Sequence, residues 1–467
     1  MTVVSLTAGD VAAAVSGRIA SGSASTPIGP VSIDSRTIAA GDFFIAIRGE
    51  RFDGHEFVSG ALARGARGAL VADAGPFAKV ANDALLIEAA DTTKALQDIA
   101  RDVRRRWGAK VVAITGSAGK TTTKELTAEL LSSRYRVFRN KGNLNNHIGL
   151  PLSLLELRAG PEAAVVELGM NHPGEIRTLV SIAEPDVRVW TNVGDAHIGF
   201  FESADAIADA KAEVVEGAAP GHVLVANADD PRVMARVSAF RGRTVTFGTH
   251  NAADVRATDV QMLGLEGLRA RVQTPSGAFQ LSTPLLGFGN LANVLAATAV
   301  AVTFDITLEA IASRAAGFRA AHHRGELVRL PGGVTLIDDS YNSSPSALNR
   351  ALEIVGAATG SARKIAVLGE MLELGPHADA LHRESGRAAY TAGLDCLVAV
   401  GGPAAKQLSD GAVAAGMDAR NVVHVPDRAR AIEDVLTRVR PGDLVLVKGS
   451  RGIGLDALVE RLKAEFA

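Results

Sequence analysis

The sequence predicts an α/β protein of three domains, and three observations carry that prediction. The chain has 467 residues, beyond the size at which a single hydrophobic core keeps growing, so roughly three domains are expected. Short apolar runs such as KVVAIT, AAVVELG and HVLVAN alternate with helical stretches such as GKTTTKELTAELL and SADAIADAKAEVVEGAA. This is the rhythm of a parallel sheet covered on both faces. The strand KVVAIT also runs straight into the turn GSAGK and then a helix, the local setting of a phosphate-binding loop.

In order along the chain, residues 1–106 pair short strands (FFIAI, GALVAD, ALLIEA) with the helical stretch HEFVSGALARGA, which reads as a small N-terminal α/β domain. Residues 107–317 form the central parallel-sheet domain. Between about 253 and 284 helices drop out and alternating segments suggest antiparallel strands added to that sheet's edge, followed by the helix NLANVLAATAVAV. Residues 318–467 repeat the strand and helix rhythm (VTLIDDS, KIAVLG, CLVAVG, VVHVP, DLVLVKGS) and read as a doubly wound, Rossmann-like C-terminal domain.

The 49 basic and 51 acidic side chains nearly cancel, which leaves no overall field to attract nucleic acid or an anionic membrane. The basic stretch RDVRRRWGAK has no aromatic platform beside it and reads as a solvated helix end at a domain junction. Cys396 is the single cysteine, which excludes an internal disulfide framework and suits a reducing compartment; its apolar run DCLVAV points to a buried thiol. No basic leader followed by a sustained apolar stretch is visible and no run of some 18 apolar residues occurs, so a cytoplasmic protein without membrane insertion is expected.

The usual nucleotide loop reads G-x-x-x-x-G-K-[ST]. Gly119, Lys120 and Thr121 fit its end, while Ile114 stands where the first glycine belongs. The backbone N–H groups of Gly116, Ser117, Ala118 and Gly119, with the helix dipole behind them, suit phosphate oxygens. Lys120 suits the β and γ phosphates, Thr121 a magnesium ion, and Thr122 continues the helix start. The plain alternative is a Gly/Ser turn before a Thr-rich helix. Glu167 ends the buried strand AAVVELG and suits the magnesium of a nucleotide, or equally caps the next helix. His197, in WTNVGDAHIGF, falls at a strand's C-terminal edge, where such sheets bind ligands.

The short loop TGSAGKTT resembles the ATP loop of the Mur ligase family, whose members add amino acids or peptides to the cell-wall precursor. Further stretches resemble the same family across nearly the whole chain: DSRTIAAGDFFIAIRGERFDGHEF, NKGNLNNHIGLPLSLL, VVELGM, AHIGFF, NLANVLAATA, HHRGE, DDSYNSSPSAL, GEMLELG and LVKGSRG. The first two and GEMLELG most resemble the branch that adds D-alanyl-D-alanine. The resemblance implies that the missing glycine is a family variant. It implies ATP and Mg2+ as cofactors and UDP-N-acetylmuramoyl-tripeptide and D-alanyl-D-alanine as substrates of a monomer.

Residue by residue, the resemblance implies that Lys120 contacts phosphates and that Thr121, Glu167 and His197 hold magnesium. Lys211 matches a lysine that relatives carbamylate to bridge metals, although a helical lysine is ordinarily a solvated surface residue. Asn290, Asn293 and Asn342 belong at the nucleotide, and Arg324 and Asp339 close on it from the linker and the third domain. Ser35 and Arg36 suit the uridine diphosphate end, or form a turn with a surface salt bridge. Asn143, Asn145 and Asn146 suit substrate, or a tight turn and helix cap. Lys448, Ser450 and Arg451 form a small anion-binding arrangement that receives the dipeptide carboxylate or assists at the phosphate, or is a strand-to-helix turn. Three stretches depart from the family pattern: Glu202 replaces glycine, Gly289 replaces a histidine, and YNSSP replaces YNANP, with Ser343 in place of alanine and Ser344 in place of asparagine.

Such a ligase makes an acyl phosphate, which requires two anions to meet and water to be kept out. The alternatives are a Mur ligase adding the third residue, a folylpolyglutamate synthetase, or a non-enzymatic ATP sensor. The diaminopimelate-adding ligase carries a D-N-P-R signature in its last domain, which is absent here; DDPR at 229–232 belongs to the central domain.

Overall fold

The computed structural model describes residues 3–77, 79 and 84–466. Among these, the strands form three sheets, of five, nine and six strands. In the first sheet, Val31–Ser32, Phe43–Ile45, Gly68–Val71 and Leu85–Glu88 are parallel, and Arg18–Ser21 closes the edge antiparallel to Leu85–Glu88. The helical stretch HEFVSGALARGA begins as a 3-10 turn, Gly54–Phe57, because the Asp53 carboxylate accepts the His55 N–H, and continues as the helix Val58–Ala63. The helix Ala8–Ala14 is not among the elements expected from sequence. Thr7 and Asp10 cap it reciprocally, a signal visible as T-x-x-D.

The central sheet is parallel through Val137–Arg139, Ala163–Glu167, Lys110–Thr115, Val187–Trp190, Val223–Asn227 and Arg243–Gly248. Ala163–Glu167 and Val187–Trp190 are buried throughout, as helices on both faces require. The added edge is partly as expected. Val255–Met262 first extends the sheet in parallel, and Leu268–Thr274 and Gly277–Thr283 then follow antiparallel. Leu268–Thr274 alternates buried and exposed side chains because only one of its faces meets the core.

In the third sheet, Thr335–Asp339, Leu444–Lys448, Lys364–Gly369, Cys396–Val400 and Val422–Val425 are parallel, and Glu326–Arg329 adds an antiparallel edge. Cys396 is buried, and burial pushes its thiol pKa up, as fits a structural residue.

The helix Thr92–Trp107 joins the first two regions. Asp91 caps its start and Gly108, in the left-handed conformation, ends it. Leu96, Ile99, Val103 and Trp107 share one core with Leu154, Leu157, Ile176 and Leu179 of the central region. Its basic end is tied down rather than solvated: Arg104 donates to the Ala183 carbonyl and pairs with Asp186, and Arg105 pairs with Glu184. Arg158 fastens the first region from the other side, donating to the Ile28 and Gly29 carbonyls.

Candidate active site

The C-terminal ends of the central parallel strands open on a cleft of ≈ 1370 Å³. Such edges collect ligands because loop ends and helix N-termini converge there. Ile114 lies fully buried on the strand Lys110–Thr115, paired with Glu167. The position expected to hold glycine is therefore sheet interior, and the turn starts two residues later. Gly116 and Gly119 have φ of +149° and +83°. A Cβ at Gly116 would stand 2.0 Å from Thr191 Oγ1, and one at Gly119 2.2 Å from Asn293 Oδ1. Only glycine fits either place.

Lys120 opens the helix Lys120–Leu131 and donates to the Gly116 carbonyl at 2.9 Å. The Thr121 hydroxyl donates to Glu167 Oε2 at 2.7 Å, and Asn145 Nδ2 donates to Oε1 at 2.8 Å. Glu167 is only 3 % exposed. Burial pushes its carboxyl pKa up, but Lys120, the Thr121 hydroxyl, Arg324 and Asn145 outweigh burial and hold it below the usual glutamate range. Burial also lowers the Lys120 ammonium, with Glu167 opposing and Arg324 adding to the effect. Arg324, from the segment that leads into the third sheet, is thus close enough to act on both. The third sheet's approach to the loop is what brings this charge set together.

Asn140, which sequence reading does not single out, fixes Glu167 from beneath. This buried side chain accepts the Glu167 N–H at 3.0 Å and donates to the Leu144 carbonyl, while its own carbonyl accepts from the buried Lys124. The three flagged asparagines separate in role. Asn145 meets Glu167, Asn146 accepts N–H groups at the start of the helix Gly149–Leu154, and Asn143 lines the cleft.

His197 lines the cleft in a left-handed conformation, with φ of +67°. Its Nδ1 meets Glu373 Oε2 at 2.6 Å, an acid of GEMLELG that is likewise absent from the residues flagged by sequence. That bond lowers the Glu373 carboxyl against the opposing effect of burial. Gly199 N–H donates to the Glu373 carbonyl, and a Cβ on Gly199 would stand 2.6 Å from Gly375 N. Two loops from different sheets therefore touch backbone to backbone beside His197.

Lys211 corrects the expectation of a solvated surface lysine. It is 1 % exposed, on the helix Ala204–Ala212. Burial pushes its pKa well below the lysine range, and the nearby Lys120 adds to this. It does not reach the cleft lining.

Asn290 and Asn293 sit one turn apart on the helix Gly287–Thr303, with Asn293 Nδ2 donating to Asn290 Oδ1 and Asn293 Oδ1 accepting from Thr123. From the third region, Lys448 Nζ meets Asp339 Oδ2 at 2.6 Å and the Asn342 carbonyl at 3.0 Å. Ser450 Oγ accepts the Leu372 N–H. The Arg324 and Arg451 guanidinium groups lie 4.1 and 5.0 Å from the Tyr341 ring centroid, a cation–π arrangement. Lys448 is thus committed to holding Asp339 and the Asn342 loop, and Arg324 and Arg451 are cations that face the cleft.

The cleft lining gathers the loop residues 117–122 together with Asp339 and Asn342 from the third region, but neither Ser35 nor Arg36. Arg36 is 85 % exposed and paired with Asp34 at 2.7 Å. Glu202 is exposed and outside the lining, so it does not join Glu167. Ser344 and Gly289 do line the cleft.

Among the described residues, no three His, Cys, Asp or Glu side chains cluster closely enough to cage a metal. Magnesium carried by phosphates needs no such cage, since it keeps waters and takes one or two protein oxygens. The ionised Glu167 carboxylate beside the Thr121 hydroxyl fits that demand.

Three family models match in succession: Mur ligase family, catalytic domain, over residues 27–104; Mur ligase middle domain, over 114–301; and Mur ligase, glutamate ligase domain, over 323–451. A Bacillus subtilis protein named UDP-N-acetylmuramoyl-tripeptide--D-alanyl-D-alanine ligase is 34% identical over 437 residues, covering 94% of this chain and 93% of that protein. The crystal structure of MurF from Acinetobacter baumannii superposes with a TM-score of 0.89 at 31% identity, covering 99% of this chain and 100% of that one. The MurF ligase of Thermotoga maritima, solved in complex with ADP, gives a TM-score of 0.82 at 30% identity, covering 93% of this chain and 97% of that one. With the short loop, the strand-end carboxylate and all three regions matched along their length, this chain belongs to the Mur ligase family.

Proposed function

We propose that this chain joins D-alanyl-D-alanine to UDP-N-acetylmuramoyl-tripeptide while ATP is split to ADP and phosphate. The observation that carries this reading is the length of the likeness to D-alanyl-D-alanine-adding relatives, which runs through the first and third regions as well as the ATP loop. Substrate-holding parts therefore match along with nucleotide-holding parts.

The chemistry follows from the charges in the cleft. An oxygen of the tripeptide carboxylate attacks the γ-phosphorus, the bond to ADP breaks, and an acyl phosphate forms. The dipeptide amine then attacks the acyl carbon, phosphate leaves, and the new amide's extra proton passes to solvent. The first step brings two anions together, and Lys120 and Arg324 lower its barrier by facing both. Magnesium, held at Thr121 and Glu167 with the phosphates, supplies further charge neutralisation when bound.

With magnesium bound, His197 Nε2 would be available to it while Nδ1 stays on Glu373. The Lys211 amine, once deprotonated, adds to carbon dioxide, forming an N–C bond and releasing a proton, to give a carbamate anion near Lys120. Asn290, Asn293, Asp339 and Asn342 border the nucleotide, and Arg451 and Ser450 face the dipeptide. Asn143 borders the tripeptide. Ser35 and Arg36 take the uridine diphosphate end, outside the catalytic cleft.

Phosphate release with each reactant omitted in turn tests this reading. Turnover is expected only with ATP, magnesium, UDP-N-acetylmuramoyl-tripeptide and D-alanyl-D-alanine together. Equal turnover without the dipeptide, or with free D-alanine or diaminopimelate in its place, refutes it.

A further inference from the structure

We propose that Arg350 is a nucleotide-binding residue, supplied by the C-terminal region to the α-phosphate and ribose end of the nucleotide in the central cleft. The proposal rests on the ATP-ligase reading above. Arg350 lies on the helix Pro345–Ala357 and is one of the side chains that enter the cleft from the third region. It also lines a second cavity of ≈ 300 Å³ with Asn192, Gly194, Asn227 and Asp230, at the ends of two central strands. Arg350 therefore borders both spaces, over the central sheet's ligand-binding edge.

The side chain is placed by a missing one. At Gly289 a Cβ would stand 3.2 Å from Arg350 Cδ and 3.5 Å from Nε, so the arginine stem lies in space that a larger residue 289 would fill. Among the described residues its head has no ion partner: Glu353 and Asp339 act on it through charge alone, against the burial that disfavours it. An arginine partly removed from water, whose donors meet no protein acceptor among the described residues, is left free to take a ligand anion. Its planar fork suits a phosphate.

The helix Gly287–Thr303 locates the ligand atom. Asn293 touches the loop at Gly119, where the β-phosphate would lie. Gly289 is four residues nearer the helix start, roughly 6 Å along the axis. Arg350 thus stands beyond the terminal phosphates, toward the nucleoside. Helix Pro345–Ala357 supports the same placement: Ser346 Oγ would be 3.0 Å from a Cβ on Gly194, whose carbonyl meets Ser117 of the loop.

Isothermal titration of the full chain with ADP and, separately, with inorganic phosphate tests the proposal. Arg350→Ala is expected to weaken ADP about tenfold or more and leave inorganic phosphate within about twofold, because a single phosphate on the loop has neither an α-phosphate nor a nucleoside end. Arg350→Lys, which keeps a point charge, recovers part of the loss. Gly289→Leu displaces the stem and reproduces the loss, and the double variant is no worse than either single one. In steady-state assays KM for ATP rises while kcat stays within about twofold, a split that general misfolding would not give. An ADP-binding parent with an equally tight Arg350→Ala variant overturns this proposal alone, as does an equal loss for inorganic phosphate. A parent that fails to bind ADP overturns the ATP-ligase reading together with it.

Discussion

Lys211 shows how burying a single charged residue costs stability. The unfolded chain holds its ammonium protonated, whereas the folded chain disfavours that proton through burial and the nearby Lys120. Between the lowered folded value and the ordinary lysine value the unfolded state binds more protons, so stability rises with pH across that interval. Lys211→Met removes the penalty. In carbon dioxide-free buffer it is expected to stabilise the fold at pH 7 by on the order of 1–2 kcal/mol, with the gain shrinking as pH approaches the lysine value. Urea unfolding at several pH values measures this, and a gap that widens with pH contradicts it. Activity of the parent, and not of the variant, should respond to bicarbonate.

Residue-level legibility follows from how local the signal is. The turn 116–122 and Glu167 can be placed from sequence because strand, turn and helix succeed one another within a few residues. Asn140, Glu373 and Arg350 cannot, because each matters through a neighbour 27, 176 or 61 positions away in sequence, at Glu167, His197 and Gly289 respectively. The burial of Lys211 escapes sequence for the same reason. Its helix, ADAIADAKA, carries no local mark of which side is buried, and only the packing around it buries the lysine.

At the scale of elements, periodicity locates most strands and helices correctly, since parallel strands are apolar throughout and helices between them are not. It fails on the sense of Val255–Met262, because strand direction depends on a partner and not on the strand's own composition. The contact between the loops 195–201 and 372–377 joins elements from different sheets backbone to backbone beside His197. A side chain at Gly199 collides with the backbone of Glu373 and Gly375, so Gly199→Val should part the loops and release His197 from Glu373. The expected result is a loss of kcat/KM of roughly tenfold or more, since small misplacements of reacting groups are costly, with ADP affinity retained. Unchanged kcat/KM would mean that the contact is incidental to turnover.

On the scale of the whole molecule, three sheets surround one cleft, and the cations that face its centre come from two of them. Lys120 belongs to the central loop, whereas Arg324 and Arg451 arrive with the third sheet. Nucleotide binding should therefore order both sides together. Hydrogen exchange of the full chain is expected to show amides 116–122 and 339–344 gaining protection jointly when ADP and magnesium are added, while the strand Cys396–Val400 in the third core is unaffected. Protection confined to 116–122 would show that the third region does not respond to the nucleotide. The number of regions is legible in the sequence but this arrangement is not, since nothing local records that the Asp339 and Lys448 strand ends turn toward the central loop.

The tight seating of Gly116 and Gly119 against Thr191 and Asn293 has a bearing on drug escape. A compound that mimics a phosphate in this turn would be opposed by a wall whose lining can hardly be altered, because adding even one methyl group there displaces an oxygen already engaged elsewhere. Resistance would have to arise at the cleft's outer rim, so inhibitors anchored on the turn itself should retain potency longer than those reaching toward the exposed margins.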